Sequence, residues 1–375
     1  MKKIYWMVQQ LNRIGGTEMV SIELMKNLSD TFDITLISVA EIEEPIVYDL
    51  GKLRVQSLNV PIEVCRYDEF LSKALKAHHY GKALKLTGQL LKHFIFKRNA
   101  YRNLVASFST IEDLIIASSL DSYIFTPLNR KAIFHYHFNA ETYLSLSNRL
   151  MSLLSRKSDW TVFLTQDTFN HVLAKQPNIK GSYIYNPSRF KAVDIKAHEG
   201  HRFIFSGRLE KQKNPMCLLE TMLELKKMGI NFHLDILGTG SYEKVMHKYI
   251  LENDLTGQIT MHGQVQNIET YLMHNDINLL TSTYEGFPLS IIEATSFSLY
   301  NISTNWGDAL VEAIDGQNGI IVDSFEPQVI ARAISEVLKQ DLNQLKHQSY
   351  LDAARFDIQT IKQDWINLIQ QIMDK

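Results

Sequence analysis

Short apolar runs alternate with helix-period segments along this 375-residue chain. Apolar runs of about four to eight residues are typical of buried strands in a parallel sheet, and the amphipathic segments between them are typical of crossover helices. The alternation stops once, over the polar and aperiodic residues 187–200. We therefore predict an α/β fold with two parallel-sheet domains, residues 1–190 and 200–355, joined by a linker at 187–200.

The apolar runs define the predicted strands of each half. In the first half they are Ile4–Val8, Phe32–Val39, Pro61–Arg66, Tyr123–Thr126, Ala132–Tyr136, Trp160–Thr165 and Tyr183–Tyr185, and in the second half they are Phe203–Phe205, Phe232–Leu237, Ile259–His262, Ile277–Ser282 and Ile320–Val322. The helix-period segments run from a cap at Thr17 to Leu28 and over residues 69–106, 215–228, 241–252, 291–294, 327–339, 341–354 and 358–373.

Two carboxylates, Glu285 and Glu293, have seven residues between them and bracket the turn that follows the predicted strand Ile277–Ser282. Glu285 stands at the carboxyl end of this strand, where open α/β sheets bind their ligands. Glu293 lies more than one turn into the next helix, from where its side chain can reach back to a polyol. This spacing predicts a ligand site at the turn.

The turn between the two acids contains Gly286 and Pro288. We place Pro288 at the first helical position, where its missing N–H is no loss. The free N–H groups of Leu289 and Ser290 then point off the helix N-terminus, where hydrogen bonding and the helix dipole both favour an anion. The turn is therefore a predicted anion site.

A basic loop, Ser206–Pro215, follows the first predicted strand of the second domain. Within it, Arg208 can bind two phosphate oxygens at once, and Lys213 can add a point charge beside it. We expect these two cations to neutralise the growing charge of a diphosphate leaving group. The alternative is a basic loop that contacts only solvent, and this is our interpretation of Lys211.

Two glycine turns are weaker signals. Gly16, in the pair Gly15-Gly16, joins the first strand to the first helix, where glycine lets the backbone approach a ligand closely. Gly238, in a lone Gly-x-Gly, ends a strand of the second domain. A plain tight turn would explain either of them, and the first lacks the G-x-G-x-x-G pattern of dinucleotide-binding loops.

His135 and His137 stand at the end of a predicted strand, whose two-residue period places both side chains on the same side. A zinc pair is one interpretation, but no third ligand lies nearby in the sequence. A core or surface histidine is the ordinary interpretation. As a functional group we favour His137, because it is nearer to the strand end.

Together, these segments resemble family 4 glycosyltransferases of the GT-B fold. The resemblance rests on the Glu-x7-Glu pattern with Gly-Phe-Pro after its first glutamate and on the Gly-Arg-Leu…Lys-Asn-Pro pattern of residues 207–215, with weaker matches at 15–18, 135–139 and 262–265. It covers residues 200–325 well and the first domain less well. It implies two Rossmann-like domains that face a central cleft, and a final helix, Ile358–Met373, that crosses back so that 356–375 join the first domain.

The resemblance also implies roles for individual residues. Glu285 and His137 would lie beside the transferred sugar. Arg208 and Lys213 would hold the diphosphate, and Glu293 would hold the ribose. The remaining donor-binding positions that it implies are Gly16, Gly238, Gln264, Gly286, Phe287, Pro288, Leu289 and Ser290.

The activity that the resemblance implies is retaining transfer of a hexose-type sugar from a nucleotide-diphosphate donor, most often a UDP-sugar, without a metal or another cofactor. The acceptor would be a saccharide, a polymer or a lipid-linked glycan in bacterial surface glycan synthesis. The chain has no Asp-x-Asp motif, which argues against metal-dependent GT-A transferases. Two alternatives stay open: a non-catalytic subunit of a glycosyltransferase complex, and a nucleotide-sugar epimerase of GT-B architecture.

Composition and charge narrow the setting. The chain is 45% hydrophobic and 21% charged with a net charge of −2, as in ordinary globular proteins, and this charge gives no case for nucleic-acid binding. Two cysteines without metal-ligand spacing favour a reducing compartment. Because neither a cleavable leader nor an apolar run of about 18 residues is evident, we expect a cytoplasmic protein. Its oligomeric state is open.

One basic segment departs from this neutrality. No Asp or Glu occurs from Phe70 to Ile111, and residues 70–106 combine eight Lys and Arg with leucines and aromatic residues. A basic amphipathic helix pair predicts docking to an anionic lipid surface, here the inner face of the cell membrane. A basic face that contacts only solvent is the alternative.

Overall fold

The computed structural model describes residues 1–12, 15–61, 98–103, 113–119, 122, 126, 130–137, 139–144, 159–198, 200–307, 309–314 and 316–374. The chain folds into two compact units, the first made of residues 1–185 and 361–375 and the second of residues 186–360. Residues of the predicted linker pack against the second unit. Val193 donates its N–H to the carbonyl of Ser296 (2.8 Å), and Ile195 donates to the Ser298 hydroxyl (3.1 Å).

The first unit is built on seven parallel strands in the order β3-β2-β1-β4-β5-β6-β7. The strands are β1 (Lys3–Val8), β2 (Asp33–Ala40), β3 (Arg54–Val60), β4 (Leu114–Ala117), β5 (Lys131–His135), β6 (Trp160–Phe163) and β7 (Gly181–Tyr183). The helices are α1 (Gly16–Leu28), α2 (Ala140–Leu144) and α3 (Gln166–Lys175), and residues 98–103 are also helical. All residues of β2 after Asp33 are buried, including the polar Thr35 and Ser38, as expected for a strand that is covered on both faces of a parallel sheet.

Two strands of this sheet were not predicted. Strand β3 was missed because polar residues alternate with apolar ones along it, and β4 was missed because it is only four residues long. The predicted strand Pro61–Arg66 lies outside the described residues apart from Pro61, and Tyr123–Thr126 lies outside them apart from Thr126. Most of the basic segment 70–106 also lies outside, so its membrane role stays a prediction.

The predicted cap of the first helix was wrong. Helix α1 begins at Gly16, and the extended Gly15 is its N-cap without a side-chain hydrogen bond. The glycine pair therefore forms the turn itself, and Thr17 is already helical.

The second unit is built on six parallel strands in the order β10-β9-β8-β11-β12-β13. The strands are β8 (His201–Ser206), β9 (Phe232–Leu237), β10 (Ile259–Gly263), β11 (Ile277–Leu280), β12 (Tyr300–Thr304) and β13 (Gly319–Val322). The helices are α4 (Pro215–Lys227), α5 (Glu243–Glu252), α6 (Glu269–Met273), α7 (Leu289–Ser296), α8 (Ala309–Ala313), α9 (Pro327–Leu338) and α10 (Leu342–Asp352), with 3₁₀ turns at Lys211–Lys213 and Ala353–Phe356.

Strand β12 was missed because its buried face carries polar side chains. Asn301 accepts a hydrogen bond from the Asn278 amide (2.9 Å) and donates to the Thr295 hydroxyl (3.0 Å). Buried polar groups cost little free energy once they are hydrogen-bonded, so a strand with an asparagine in its middle can occupy the core.

The last helix, α11 (Ile358–Met373), returns to the first unit, as predicted. The fully buried Trp365 packs against Trp6, with ring centroids 5.1 Å apart, and against His135 at 4.9 Å. Lys131 donates a hydrogen bond to the carbonyl of Met373 (2.7 Å). The predicted fold class, two parallel α/β units with a returning C-terminal helix, is confirmed.

None of the helices in the described ranges has the length and apolar composition needed to cross a membrane.

Candidate functional site

The candidate site of the second unit lies where β8 and β11 end. The two strands are neighbours in the parallel sheet, so their carboxyl ends, and the loops that follow them, meet at one edge. Residues 207–214 follow β8, and residues 281–288 follow β11. Carboxyl edges of open α/β sheets are the usual ligand sites, and both predicted charged segments lie at this one.

The loop after β8 is anchored to the loop after β11 by its backbone. Thr283 donates its N–H to the carbonyl of Gln212 (2.8 Å), and the Thr281 hydroxyl donates to the carbonyl of Lys213 (3.0 Å). A 3₁₀ turn over 211–213 ends at Asn214, which has a left-handed conformation with φ of 47°. Asparagine tolerates this conformation better than most residues. Lys213 is thereby held beside the second loop.

Lys213 and Glu285 form the central ion pair of the site. Their side chains are 12% and 10% exposed, and Lys213 Nζ lies 2.7 Å from Glu285 Oε1. The Ser282 hydroxyl donates to the same carboxylate oxygen (2.7 Å). An ion pair with little exposure is screened less by water and salt than a surface pair, so these two charges are strongly coupled.

Gln212 links this pair to Arg208. Its amide donates to the carbonyl of Tyr284 (2.9 Å) and, at 3.4 Å, to Glu285 Oε2. Its side-chain oxygen accepts from Arg208 at 3.4 Å. The structure therefore brings Arg208, Lys213 and Glu285 together, as a cation–carboxylate–cation arrangement that can receive a polyanion next to a sugar.

The Gly238 turn is explained by contacts within the protein. Gly238 has φ of 129°, and a Cβ there would lie 1.9 Å from the carbonyl oxygen of Gly207. A Cβ at Gly240 would lie 2.3 Å from the carbonyl oxygen of Leu209. Both glycines let the 238–240 turn pack closely on the Arg208 loop, so its position beside a nucleotide stays a prediction.

The turn between the two glutamates leads into α7. Pro288 is the extended residue before this helix, and Leu289 is its first residue, so the prediction that Pro288 is the first helical residue was wrong by one position. Phe287 is buried and packs against Phe356, with ring centroids 5.9 Å apart. Phe287 therefore presents its backbone, rather than its ring, to this edge. Gly286, Leu289 and Ser290 are partly exposed there.

Glu293 lies on α7 and is only 6% exposed. Its Oε1 accepts a hydrogen bond from Arg189 Nε at 2.8 Å. Burial raises the pKa of Glu293, and the Arg189 charge opposes this rise. The carboxylate is thus held in one orientation by a cation that the sequence did not point to.

In the first unit, the glycine turn is bound to Tyr48. The backbone N–H of Gly15 donates to the Tyr48 hydroxyl at 2.7 Å. A Cβ at Gly15 would lie 2.3 Å from Glu18 Oε2, the end of a side chain that can move aside. Gly16 is exposed at the start of α1. A ligand contact at Gly16 stays a prediction.

His135 and His137 do lie on the same side, as their spacing predicted. His137 Nε2 and His135 Nδ1 are 3.1 Å apart, so one ring donates a hydrogen bond to the other. Burial lowers the pKa of His137 to about 3 and the pKa of His135 well below its ordinary value. Both rings are therefore neutral near pH 7, and a neutral His137 can hold a hydroxyl but carries no positive charge.

The last two predictions concern a nucleobase contact and a metal. Gln264 follows β10 in an exposed turn. Within the described ranges, no three His, Cys, Asp or Glu side chains are grouped so that they could hold a metal ion.

Sequence reasoning missed three side chains that organise this edge: Gln212, Ser282 and Arg189. Gln212 lies inside the recognised loop, but glutamine carries no charge to mark it. Ser282 ends a strand and resembles any small turn residue. Arg189 is 104 positions from Glu293, and its neighbourhood reads as a polar linker.

Comparison with known proteins finds similarity to glycosyltransferases. Residues 189–354 match the model of a family described as Glycosyl transferases group 1. One relative is an N-acetyl-D-galactosaminyltransferase of Campylobacter jejuni, and its name gives a saccharide linked to PP-undecaprenol as the substrate. It is 24% identical to this chain over 196 residues, which make up 50% of this chain and 54% of that enzyme. The match thus spans about half the length of that relative.

Two other matches span almost the whole chain. The amylovoran biosynthesis glycosyltransferase AmsD of Erwinia amylovora is 23% identical over 366 residues, or 94% of this chain and 96% of AmsD. The crystal structure of a Staphylococcus aureus TarM mutant, in complex with Fondaparinux, alpha-GlcNAc-glycerol and UDP, superimposes with a TM-score of 0.75 at 14% identity, covering 98% of this chain and 100% of that chain. The fold is therefore that of GT-B glycosyltransferases.

Proposed function

We propose that this protein is a retaining, metal-independent glycosyltransferase that moves a hexose-type sugar from a UDP-sugar to a saccharide, polymer or lipid-linked acceptor of the bacterial surface. The observation that carries the proposal is the Lys213–Glu285 pair, with Arg208 beside it, at the carboxyl edge of the second sheet. Cations there suit a diphosphate, and the carboxylate suits the neighbouring sugar.

The leaving diphosphate needs its charge neutralised as the bond to the sugar breaks. Arg208 and Lys213 supply two positive charges, and the N–H groups of Leu289 and Ser290 at the start of α7 add hydrogen bonds and the helix dipole. Lys213 is already paired with Glu285, so a bound diphosphate would place Lys213 between two anions. These charges do the work that a metal ion does in other transferases.

The sugar is transferred by replacing one bond at its anomeric carbon. The bond to the diphosphate oxygen breaks, the acceptor hydroxyl oxygen forms the new bond from the same face, and the hydroxyl proton passes to a donor phosphate oxygen. Glu285 would support, with its negative charge, the positive charge that develops on the sugar. His137, which is neutral, would orient a sugar hydroxyl.

UDP is proposed as the nucleotide because TarM was crystallised with it. A lipid-linked or polymeric acceptor is proposed from the names of the Campylobacter jejuni and Erwinia amylovora relatives. The basic segment 70–106 would suit an acceptor held at an anionic membrane surface.

The proposal is tested by calorimetric titration of the purified protein with UDP, GDP and their common sugar conjugates in EDTA. We expect UDP and one UDP-sugar to bind without a divalent metal. Binding only after Mg²⁺ is added would overturn metal independence, and no binding of any nucleotide would favour the non-catalytic subunit. NMR can identify which anomer of the sugar is released first when the donor is hydrolysed. Release of the same anomer that the donor carries would support retention.

A further inference from the structure

We propose that Arg189 is a positioning residue for donor binding, which aims the Glu293 carboxylate so that its other oxygen can accept hydrogen bonds from the ribose hydroxyls. This inference rests on the proposed function, because it concerns the same nucleotide site. It assigns a role in that site to the polar segment at the beginning of the second unit.

The segment 186–190 runs alongside α7 and is hydrogen-bonded to the helix and to the residues that flank it. The Asn186 amide donates to the carbonyl of Phe287, just before the helix, at 3.3 Å. Ser188 accepts from the Ser296 hydroxyl at 2.8 Å. Its backbone N–H donates to the carbonyl of Phe356 at 2.8 Å. These hydrogen bonds hold the segment against the helix, so that the Arg189 side chain lies beside Glu293 in the middle of α7.

The Arg189 side chain is itself held in place. Its guanidinium carbon lies 4.7 Å from the centre of the Phe190 ring, and that ring packs edge-on against Phe297 at 5.1 Å. The guanidinium therefore has an aromatic neighbour as well as the carboxylate of Glu293, and both contacts restrict its position.

Glu293 needs this cation because of its burial. A carboxylate that is 6% exposed loses most of its hydration, and burial alone favours the protonated form. Among the described residues of the elements packed around α7, which include β11, β12, α10 and the 353–356 turn, Arg189 is the charged group that shifts the pKa of Glu293. Removing Arg189 would therefore raise this pKa further.

The geometry leaves one carboxylate oxygen for a ligand. Arg189 occupies Oε1, and within the described part of the chain Oε2 accepts no hydrogen bond. An ionised carboxylate accepts hydrogen bonds at both oxygens, whereas a protonated one loses acceptor capacity. Arg189 thus converts a buried glutamate into an oriented acceptor for a vicinal diol.

The experiment compares Arg189→Gln, Arg189→Lys and Glu293→Gln with the matched control Arg332→Gln, which changes an exposed arginine on α9. Each folded variant is titrated with UDP and with 2′,3′-dideoxy-UDP at several pH values. We expect Arg189→Gln to bind UDP roughly tenfold or more weakly and to lose most of the preference for UDP over the dideoxy analogue. Raising the pH should restore part of its UDP affinity, and Arg189→Lys should retain part of it.

Two results would overturn the inference. One is an Arg189→Gln protein that discriminates between UDP and its dideoxy analogue as the wild type does. The other is an equal effect of Arg189→Gln in the wild-type and Glu293→Gln backgrounds, because residues that act through each other should be non-additive. Failure of the wild-type protein itself to bind UDP would instead count against the proposed function.

Discussion

Lys213 and Glu285 show, at the scale of single residues, how the candidate site is held together before any ligand arrives. Each of these nearly buried charges balances the other at 2.7 Å, and the Ser282 hydroxyl completes the carboxylate's contacts. Such a pair contributes little net stability compared with apolar side chains of the same size. Its position at the carboxyl edge of the sheet is better explained by chemistry than by folding.

Replacing either member of this pair should abolish turnover. We expect Lys213→Ala and Glu285→Gln to lower kcat by about 10²–10³-fold or more, because each removes charge stabilisation from the transition state. Donor-dependent transfer measured beside circular dichroism would check this. Lys248→Ala, which breaks an exposed pair with Glu252 at 3.6 Å, is the control and should keep wild-type activity. Near-wild-type transfer by both site variants would remove the assignment.

The paired histidines predict a pH dependence of stability. Burial places the pKa of His137 at about 3, below the value of about 6.5 in an unfolded chain. Below pH 6.5 the unfolded state therefore binds more protons, and stability falls as the pH falls toward 3. Above pH 6.5 the His137 ring is neutral in both states, so it adds no pH dependence to the stability.

Urea denaturation at about pH 5 and about pH 7.5 would test this. We expect the free energy of unfolding to fall by up to about 1.4 kcal/mol per pH unit for each proton that the unfolded state takes up. His137→Gln should flatten the dependence. The exposed His247 offers a control, since His247→Gln should leave the slope unchanged. A slope that is the same with and without His137 would contradict the burial argument.

At the scale of elements, two loops and a short helix make the site because a parallel sheet brings their starting points together. The β8 and β11 loops are joined by backbone hydrogen bonds, and the 238–240 turn packs against the first of them. The glycines of that turn serve this packing, so their replacement should act through the Arg208 loop.

Gly238→Ala should destabilise the second unit by about 2 kcal/mol or more, because it combines a forced contact with a strained backbone. The added Cβ would lie 1.9 Å from the Gly207 carbonyl oxygen at φ of 129°. Gly257→Ala is the matched control, since nothing lies within 4 Å of its Cβ position. The measurement is the thermal unfolding midpoint of the wild type and the two variants. Equal midpoints would show that the Arg208 loop can move to accommodate the added Cβ at no cost in stability.

At the scale of the whole molecule, the first unit is made of two stretches of the chain, residues 1–185 and 361–375. The last helix begins with residues 358–360 of the second unit and continues into the first, where Trp365 is fully buried. The core of the first unit therefore forms only after residues 186–360 have been made.

Trp365→Ala should destabilise the first unit by about 3–5 kcal/mol, as large aromatic truncations in cores do. Limited proteolysis should then cut residues of the first unit sooner than residues 186–360. Gln370→Ala, on the exposed face of the same helix, should digest like the wild type. Unchanged protection of the first unit in Trp365→Ala would contradict the role of this packing.

The sequence was a better guide to the second unit than to the first. Strands such as Phe232–Leu237 and the charged loops around Arg208 and Glu285 are local patterns, which a window of a few residues can display. Strands β3 and β12 escaped because polar side chains interrupt their apolar runs, and only the hydrogen bonds of Asn301 show why β12 can be buried.

What the sequence determined by itself was therefore the alternation of strands and helices, the presence of Arg208, Lys213 and Glu285 in loops at strand ends, and the presence of Glu293 on the helix that follows. Local periodicity and turn chemistry suffice for this. Tertiary structure alone decided which charges meet: Lys213 with Glu285, and Arg189 with Glu293. These partners are far apart along the chain, and only the order of strands in the sheet, with the packing of α7, brings them within hydrogen-bonding distance.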